Sequence, residues 1–321
     1  MYFRKFIVVF SILSLMSAAC QSPAPQVVEK EVEKIVVQTA IVEVEKVVQV
    51  TVEPEPVAAE STWERAKREG VVRVGFANEN PYAYAKPDGT LTGVDVEIAR
   101  LVFKRLGVEA LEGVLTEWGG LIPGLLVGRI DAITAGMWIK PERCESVIFS
   151  DPETGVGLGM AGKAGNPLNL SSMTDVAKNP NARFGIVTGG YEEDYALKSG
   201  VQPAQIVAFT TPDAAMAGLQ AGRIDAFTLG GLAMQILIDN SKDPGVERIL
   251  PFTDPVIEGT IVRGYGAVAF RPVDTDLRDA YSNEIQKMKA SGELLKVIEP
   301  FGFTSAELPG DMTQEMLCKG S

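Results

Sequence analysis

The chain contains no histidine. That removes the usual general base and the commonest metal ligand, so neither a Ser-His-Asp triad nor a Cys-His pair can be assembled. Cysteine is nearly as scarce. Of three, one stands at position 20, and only Cys144 and Cys318 remain in the body, too few thiols for a structural zinc site. Positive charge is also short, with 30 Lys and Arg against 42 Asp and Glu and a formal net charge of −12; an acidic chain is a poor match for nucleic acid. No metal and no cofactor are expected. In an oxidising compartment Cys144 and Cys318 can instead pair as a disulfide, closing a long loop and fixing the tail beside Arg143.

Long apolar runs are lacking as well. The run from Phe6 follows Arg4 and Lys5 and ends in Ser17-Ala-Ala-Cys20. It falls short of the ~20 residues of a transmembrane helix and reads as an export signal over 1–20. Small residues before Cys20 resemble a lipoprotein cleavage box, which makes Cys20 the expected lipidation site. Ser17 departs from the aliphatic residue usual there, and an ordinary signal peptide is the alternative. Residues 21–60 alternate Val, Glu and Lys between Pro23 and Pro56 without one aromatic. Such a stretch buries too little to fold alone and reads as a tether holding a globular body off a membrane.

What the body does have is an internal echo. Pro123-Gly-Leu-Leu-Val-Gly-Arg-Ile-Asp-Ala-Ile-Thr134 and Ala217-Gly-Leu-Gln-Ala-Gly-Arg-Ile-Asp-Ala-Phe-Thr228 share eight of twelve positions. In each copy an apolar helical stripe ends at a glycine, Gly128 or Gly222, and a short apolar run follows, Ile130 to Ala135 or Ile224 to Leu229, suited to a strand covered on both faces. Asp131 and Asp225 read as turn-serving rather than catalytic. A capping box at Ser61-Thr-Trp-Glu64 predicts a short helix stopped by Gly70. A strand over Val71–Phe76, a helical stripe from Val94 to Leu106, and a strand at 113–117 follow, giving an open α/β lobe. Ala182–Val187 begins a second. Crossings near 155–162 and 265–270 imply a hinge, with one lobe at 61–155 and 268–321 and the other at 156–267.

In open α/β sheets ligands bind outside the carboxyl ends of the strands. Glu79 and Tyr82 follow the first strand, Trp118 the next, and Trp138 with Arg143 the first copy of the echo; in the second lobe Thr188-Gly-Gly-Tyr191 lies between strand and helix. Aromatic faces attract a diffuse cation, and Glu79 can accept its N–H. An arginine grips a carboxylate with two parallel bonds, and Gly189, Gly190 and Tyr191 offer backbone N–H groups to an anion. Each residue also has a plainer reading: Tyr82 and Trp118 as rim packing, Glu79 and Arg143 as solvated surface, Gly189-Gly190 as a turn. Their shared placement favours a pocket for a small zwitterion.

Here the chain resembles the type II solute-binding proteins of ABC importers, through Gly93-Val-Asp-Val-Glu-Ile-Ala99, Leu121-Ile-Pro-Gly-Leu125, Gly128-Arg-Ile-Asp131, Ala135-Gly-Met-Trp-Ile-Lys-Pro-Glu-Arg143 and Tyr265-Gly-Ala-Val-Ala-Phe270. Within that group it is most similar to the ectoine/hydroxyectoine binders, through Asn78-Glu-Asn-Pro-Tyr82, Glu117-Trp-Gly-Gly-Leu-Ile-Pro-Gly-Leu125, Lys140-Pro-Glu-Arg-Cys144, Lys163-Ala-Gly-Asn-Pro-Leu168 and Leu317-Cys-Lys-Gly320. The resemblance implies a two-lobed, hinged periplasmic-binding-protein fold with a mostly parallel sheet in each lobe. It implies an extracytoplasmic, non-enzymatic monomer that captures ectoine or hydroxyectoine and works with membrane permease subunits. It puts the aromatic box on Tyr82, Trp118 and Trp138, the cation-facing carboxylate on Glu79, the carboxylate-binding arginine on Arg143, and the second-lobe anion contact on Gly189 to Tyr191. Amino-acid binders of the group usually place an aspartate for the α-ammonium where this chain has Gly230; Tyr82, Trp138 and Tyr191 depart from the ectoine binders' commoner Phe, Phe and Thr. Alternatives are an amino-acid or betaine binder, a dehydratase-type enzyme on the same fold with Glu79 as proton donor, and a tethered sensor.

Overall fold

Ser61 behaves as its spacing predicts: its hydroxyl accepts the backbone N–H of Glu64, the Glu64 carboxylate accepts the N–H of Ser61, and the helix Thr62–Glu69 ends at Gly70 with φ 70°. The computed structural model describes residues 60–257 and 259–320. The export signal, Cys20 and all but the last residue of the tether lie outside these.

Val71–Phe76 sits between Ala110–Leu115 and Ala132–Trp138, parallel to both. Gly264–Phe270 runs antiparallel to Ala132–Trp138, with Gly266 opposite Trp138, and carries Ile148–Phe149 and Thr154–Val156 on its other edge. The second sheet repeats the scheme. Phe184–Val187 lies between Ile206–Phe209 and Ala226–Gly230 in parallel, and Leu158–Lys163 pairs antiparallel with Ala226–Gly230 and with Val246–Arg248. The two echo strands are buried at every position, as continuous apolar runs in a covered sheet require. Only Gly157 separates Thr154–Val156 in the first sheet from Leu158–Lys163 in the second, and the chain returns between Val246–Arg248 and Gly264–Phe270. Each lobe is thus a three-strand parallel core completed by antiparallel strands at the crossings.

The echo strands start two residues later than their apolar runs suggest, at Ala132 and Ala226. The reason is the aspartate. Asp131 N–H donates to Arg73 O at 2.8 Å while its carboxylate accepts the Arg73 backbone N–H and guanidinium; Asp225 does the same with Arg183. The strand predicted at 113–117 lies at Ala110–Leu115, after which the chain turns into a short 3-10 turn, Trp118–Gly120.

Helix Val94–Arg105 covers the first sheet, and its buried Ile98, Val102 and Phe103 meet Tyr281, Ile285 and Met288 of Thr275–Ser291. Fully burying side chains of this kind contributes about 1.5–3 kcal/mol each. Cys144 and Cys318 form a disulfide across a sequence separation of 174. It fastens the C-terminal helix Gln314–Cys318 to Pro141–Cys144, the turn that carries Arg143. Among the described residues no helix is long and apolar enough to cross a membrane.

Candidate functional site

Residues at or just beyond the carboxyl ends of five strands converge on one cavity between the sheets. Glu79, Tyr82, Trp118 and Trp138 line it from the first lobe, and Gly190, Tyr191, Glu192 and Gly230 from the second. Its volume is about 20 Å³, room for about one water. The narrowness comes from aromatic packing. The rings of Trp138 and Tyr191 stack across the cleft with centroids 3.8 Å apart and planes 2° from parallel, and Tyr195 tilts against both.

Polar contacts reinforce that closure. Gly189 O accepts Trp118 Nε1–H at 3.0 Å and Arg143 Nη2–H at 3.1 Å, and Lys140 Nζ pairs with Asp194 at 2.9 Å. Arg143 Nη1 also donates to Trp138 O at 2.9 Å, and its guanidinium lies 5.8 Å from the Trp118 ring centre. Arg143 is therefore buried between the lobes behind the aromatic wall rather than on the cavity surface. The turn Thr188–Tyr191 also differs from its sequence reading. Gly189 presents its carbonyl to Trp118 and Arg143 of the first lobe, and the Gly190 N–H donates to Val187 O at 2.9 Å, so the Gly190 donor expected to face the cleft is used within the turn.

Glu79 is held by backbone pairing in both directions with Ala83, at 2.9 and 3.0 Å. Burial, reinforced by the charges of Glu192 and Asp95, pushes its carboxyl up to about 8. Burial likewise raises Glu192 to about 7, against the pull of nearby backbone N–H groups, Arg143 and Lys140. Burial depresses Arg143, opposed by Glu192 and the tyrosines. The hydroxyls of Tyr82 and Tyr191 and Oε2 of Glu192 are buried without a hydrogen-bond partner. Such groups are costly unless something in the cleft satisfies them. Two carboxyls, unpartnered hydroxyls and aromatic faces suit the binding of a small cation-bearing molecule.

The structure brings together Glu79, Tyr82, Trp118, Trp138, Gly190 and Tyr191, and places Arg143 and Gly189 immediately behind them. Sequence reasoning missed Glu192. Its signal, the acidic run Glu192-Glu-Asp194 opening the helix Glu192–Lys198, is what the helix dipole favours at any such terminus, and only the fold shows that the first of the three turns inward. Gly230 faces Tyr82 from the opposite lobe. A Cβ built there would lie 2.5 Å from Tyr82 Oη, so the tyrosine fills the space that a side chain at 230 would need.

The model of bacterial extracellular solute-binding proteins, family 3, matches residues 72–304. A "Probable amino-acid ABC transporter periplasmic-binding protein y4tE" of Sinorhizobium fredii (strain NBRC 101917 / NGR234) is 34% identical over 260 residues, covering 79% of this chain and 85% of the relative. The "L-cystine-binding protein TcyJ" of Escherichia coli (strain K12) is 30% identical over 75% of this chain and 86% of its own length. Among solved structures, EhuB in complex with hydroxyectoine superimposes with a TM-score of 0.74 at 40% identity, covering 82% of this chain and 99% of that one. The ancestral amino-acid-binding protein AncCDT-1, a precursor of cyclohexadienyl dehydratase, gives 0.64 at 26% identity over 75% of this chain and 99% of its own.

Proposed function

The chain belongs to family 3 of the bacterial extracellular solute-binding proteins, and from that membership we propose that its cleft captures a zwitterion of the ectoine type for an ABC importer. The observation that carries this reading is the cavity wall: Tyr82, Trp118 and Trp138 surround a space that also receives Glu79, with Arg143 directly behind it. A planar ring cation takes the place of the Tyr191 phenol against the Trp138 face as the lobes part and reclose. Rings of this kind contribute roughly 0.5–2 kcal/mol each to holding a cation. Arg143 has five N–H donors, two of them engaged by Trp138 O and Gly189 O; parting of the lobes breaks the bond to Gly189 O and brings the guanidinium out from behind the wall to meet the ligand carboxylate. Closure is favoured only by contacts that the open form lacks.

Gly230 separates this reading from that of an α-amino-acid binder. Tyr82 Oη stands where a carboxylate at 230 would have to project, so an α-ammonium finds no partner there. The protein acts as a binder and turns nothing over: Glu79 is buried in an aromatic wall that suits a cation better than a polyanionic substrate. Outside the membrane, it is held to the surface as a monomer by a lipid on Cys20.

Titration calorimetry with ectoine, hydroxyectoine, glycine betaine and a set of amino acids tests the ligand. Ectoine or hydroxyectoine is expected to bind best, and Trp138→Ala and Arg143→Ala to weaken that binding strongly. Preference for an amino acid overturns the ligand class, and product formation in a turnover assay overturns the binding role.

A further inference from the structure

Glu79 and Glu192 reach the same cavity from opposite lobes. Among the described residues neither carboxylate has a Lys or Arg within ion-pair distance: Lys140 is matched by Asp194, and Arg143 is hydrogen-bonded to the Trp138 and Gly189 carbonyls. Glu192 is 2% exposed and its Oε2 has no hydrogen-bond partner. Its position is built rather than incidental. A Cβ at residue 190 would collide with Glu192 Oε2, so the carboxyl can fold over that position only because it is glycine.

We propose, resting on the ligand reading above, that Glu192 is a second ligand-facing carboxylate and that the two glutamates form a clamp selective for a cation carrying N–H donors on two opposite edges. An amidinium or guanidinium offers one edge to Glu79 and another to Glu192. A quaternary ammonium of equal charge offers neither. A site whose acceptors are left unpaired rejects the analogue lacking the donors, because both groups have been desolvated.

The same geometry makes ligand-free closure proton-linked. Closing the cleft brings two like charges out of water, which raises both carboxyls, Glu79 to about 8 and Glu192 to about 7. Parting the lobes lets water back to both carboxyls and so moves each down toward 4.5, the ordinary value of a glutamate. The closed form therefore binds more protons between these limits, and lowering the pH through that window favours closure. The groups facing the pair are Asp95 from the helix Val94–Arg105, Tyr82, Tyr191, Arg143 and Lys140. Asp95 is itself raised by burial, beside Glu153 within the first lobe, and its charge adds to the rise of Glu79, so replacing Glu192 removes one contribution to the clamp and leaves that of Asp95 in place.

Spin labels on Leu126→Cys and Leu197→Cys, exposed positions in the two lobes, report the inter-lobe distance in the ligand-free protein. The wild type is expected to move toward the short distance as the pH falls from about 8.5 to 6. Glu192→Gln is expected to be shorter than the wild type at the upper end and to keep only the part of the dependence that Glu79 carries, the double variant Glu79→Gln/Glu192→Gln to lose most of it, while Glu193→Gln, an exposed neighbour, follows the wild type. A wild-type distance that ignores pH, or a Glu192→Gln variant that tracks the wild type, overturns the clamp. Calorimetry then compares hydroxyectoine with glycine betaine. Glu192→Gln should weaken hydroxyectoine by about 10- to 100-fold and leave any betaine binding unchanged; undiminished hydroxyectoine binding removes Glu192 from the site while leaving the ligand reading intact. Should neither compound bind the wild type, the ligand reading falls and the spin-label result alone decides whether the clamp exists.

Discussion

Asp131 and Asp225 stand at the same place in the two copies of Gly-Arg-Ile-Asp-Ala and make the same bonds to an arginine one strand away, yet their surroundings differ. Around Asp131, whose side chain is 1% exposed, Arg65 and Arg271 join Arg73 at 2.6 and 3.6 Å. Arg271 also donates to Ile130 O and Thr62 Oγ1, so one carboxylate ties together the first helix, the first strand and the returning chain. Asp225 has Arg183 and Lys163, both open to solvent, at 3.3 and 3.2 Å. The sequence pattern sets the bond; burial and the number of segments joined set its energy. Asp131→Ala is expected to destabilise the protein by about 3 kcal/mol, because it leaves the part-buried guanidinium groups of Arg65, Arg73 and Arg271 without the carboxylate they share, and urea denaturation measures this directly. An equal loss at Asp225→Ala would show that burial does not distinguish the two copies.

The copies diverge again at their strand exits. One ends in Trp138, the other in Gly230, so the first lobe supplies a face and the second supplies room. Trp138→Ala should lower hydroxyectoine affinity by on the order of 100-fold, ~2–3 kcal/mol, by calorimetry at constant pH. Gly230→Ala tests the opposite side. Its methyl meets Tyr82 Oη at 2.5 Å, and a penalty of roughly 1–2 kcal/mol from overpacking predicts about tenfold weaker binding. Combining it with Tyr82→Phe, which removes the clashing oxygen, should recover part of the loss; no recovery would mean that the conflict lies elsewhere.

The same contrast explains what could be read without the fold. The echo, the capping box at Ser61 and the alternation of helix and strand were legible because they follow from local periodicity and from turn chemistry. Glu79, Tyr82, Trp118 and Trp138 were legible as residues just past strand ends. The direction of a backbone group was not: Gly189 turns a carbonyl to Arg143 because the second lobe closes from the other side, a relation between segments 46 residues apart. Glu192 was hidden for a related reason. In sequence it is one of three acids at a helix start, and its burial depends on Gly190 leaving space and on the first lobe covering it. The strand starts were misjudged by two residues because Ile130 and Ile224 look like strand, while the aspartate beside each binds an arginine's backbone before the ladder begins.

The smallest expected effect is also the finest test of the comparison between the copies. Burial raises Asp225, but the backbone N–H and guanidinium of Arg183 and the Lys163 ammonium outweigh it, and its carboxyl lies below the ordinary value of 3.8; Asp131 is depressed in the same direction by Arg73 and Arg65, also against burial. A carboxylate whose value is lower folded than unfolded contributes stability above the unfolded value, and that contribution is lost as the pH falls through the folded one. Asp225→Ala is therefore expected to cost only about 1 kcal/mol at neutral pH. The gap to the wild type should shrink as the pH drops below about 3.8 and should shrink at neutral pH in high salt, because its partners are solvent-exposed. The Asp131→Ala gap should resist salt, since its carboxylate is not exposed to screening. Urea midpoints for both variants, taken at low and high ionic strength, separate the two behaviours: a salt-sensitive Asp131 would place that network at the surface, and a salt-insensitive Asp225 would make the copies energetic equals.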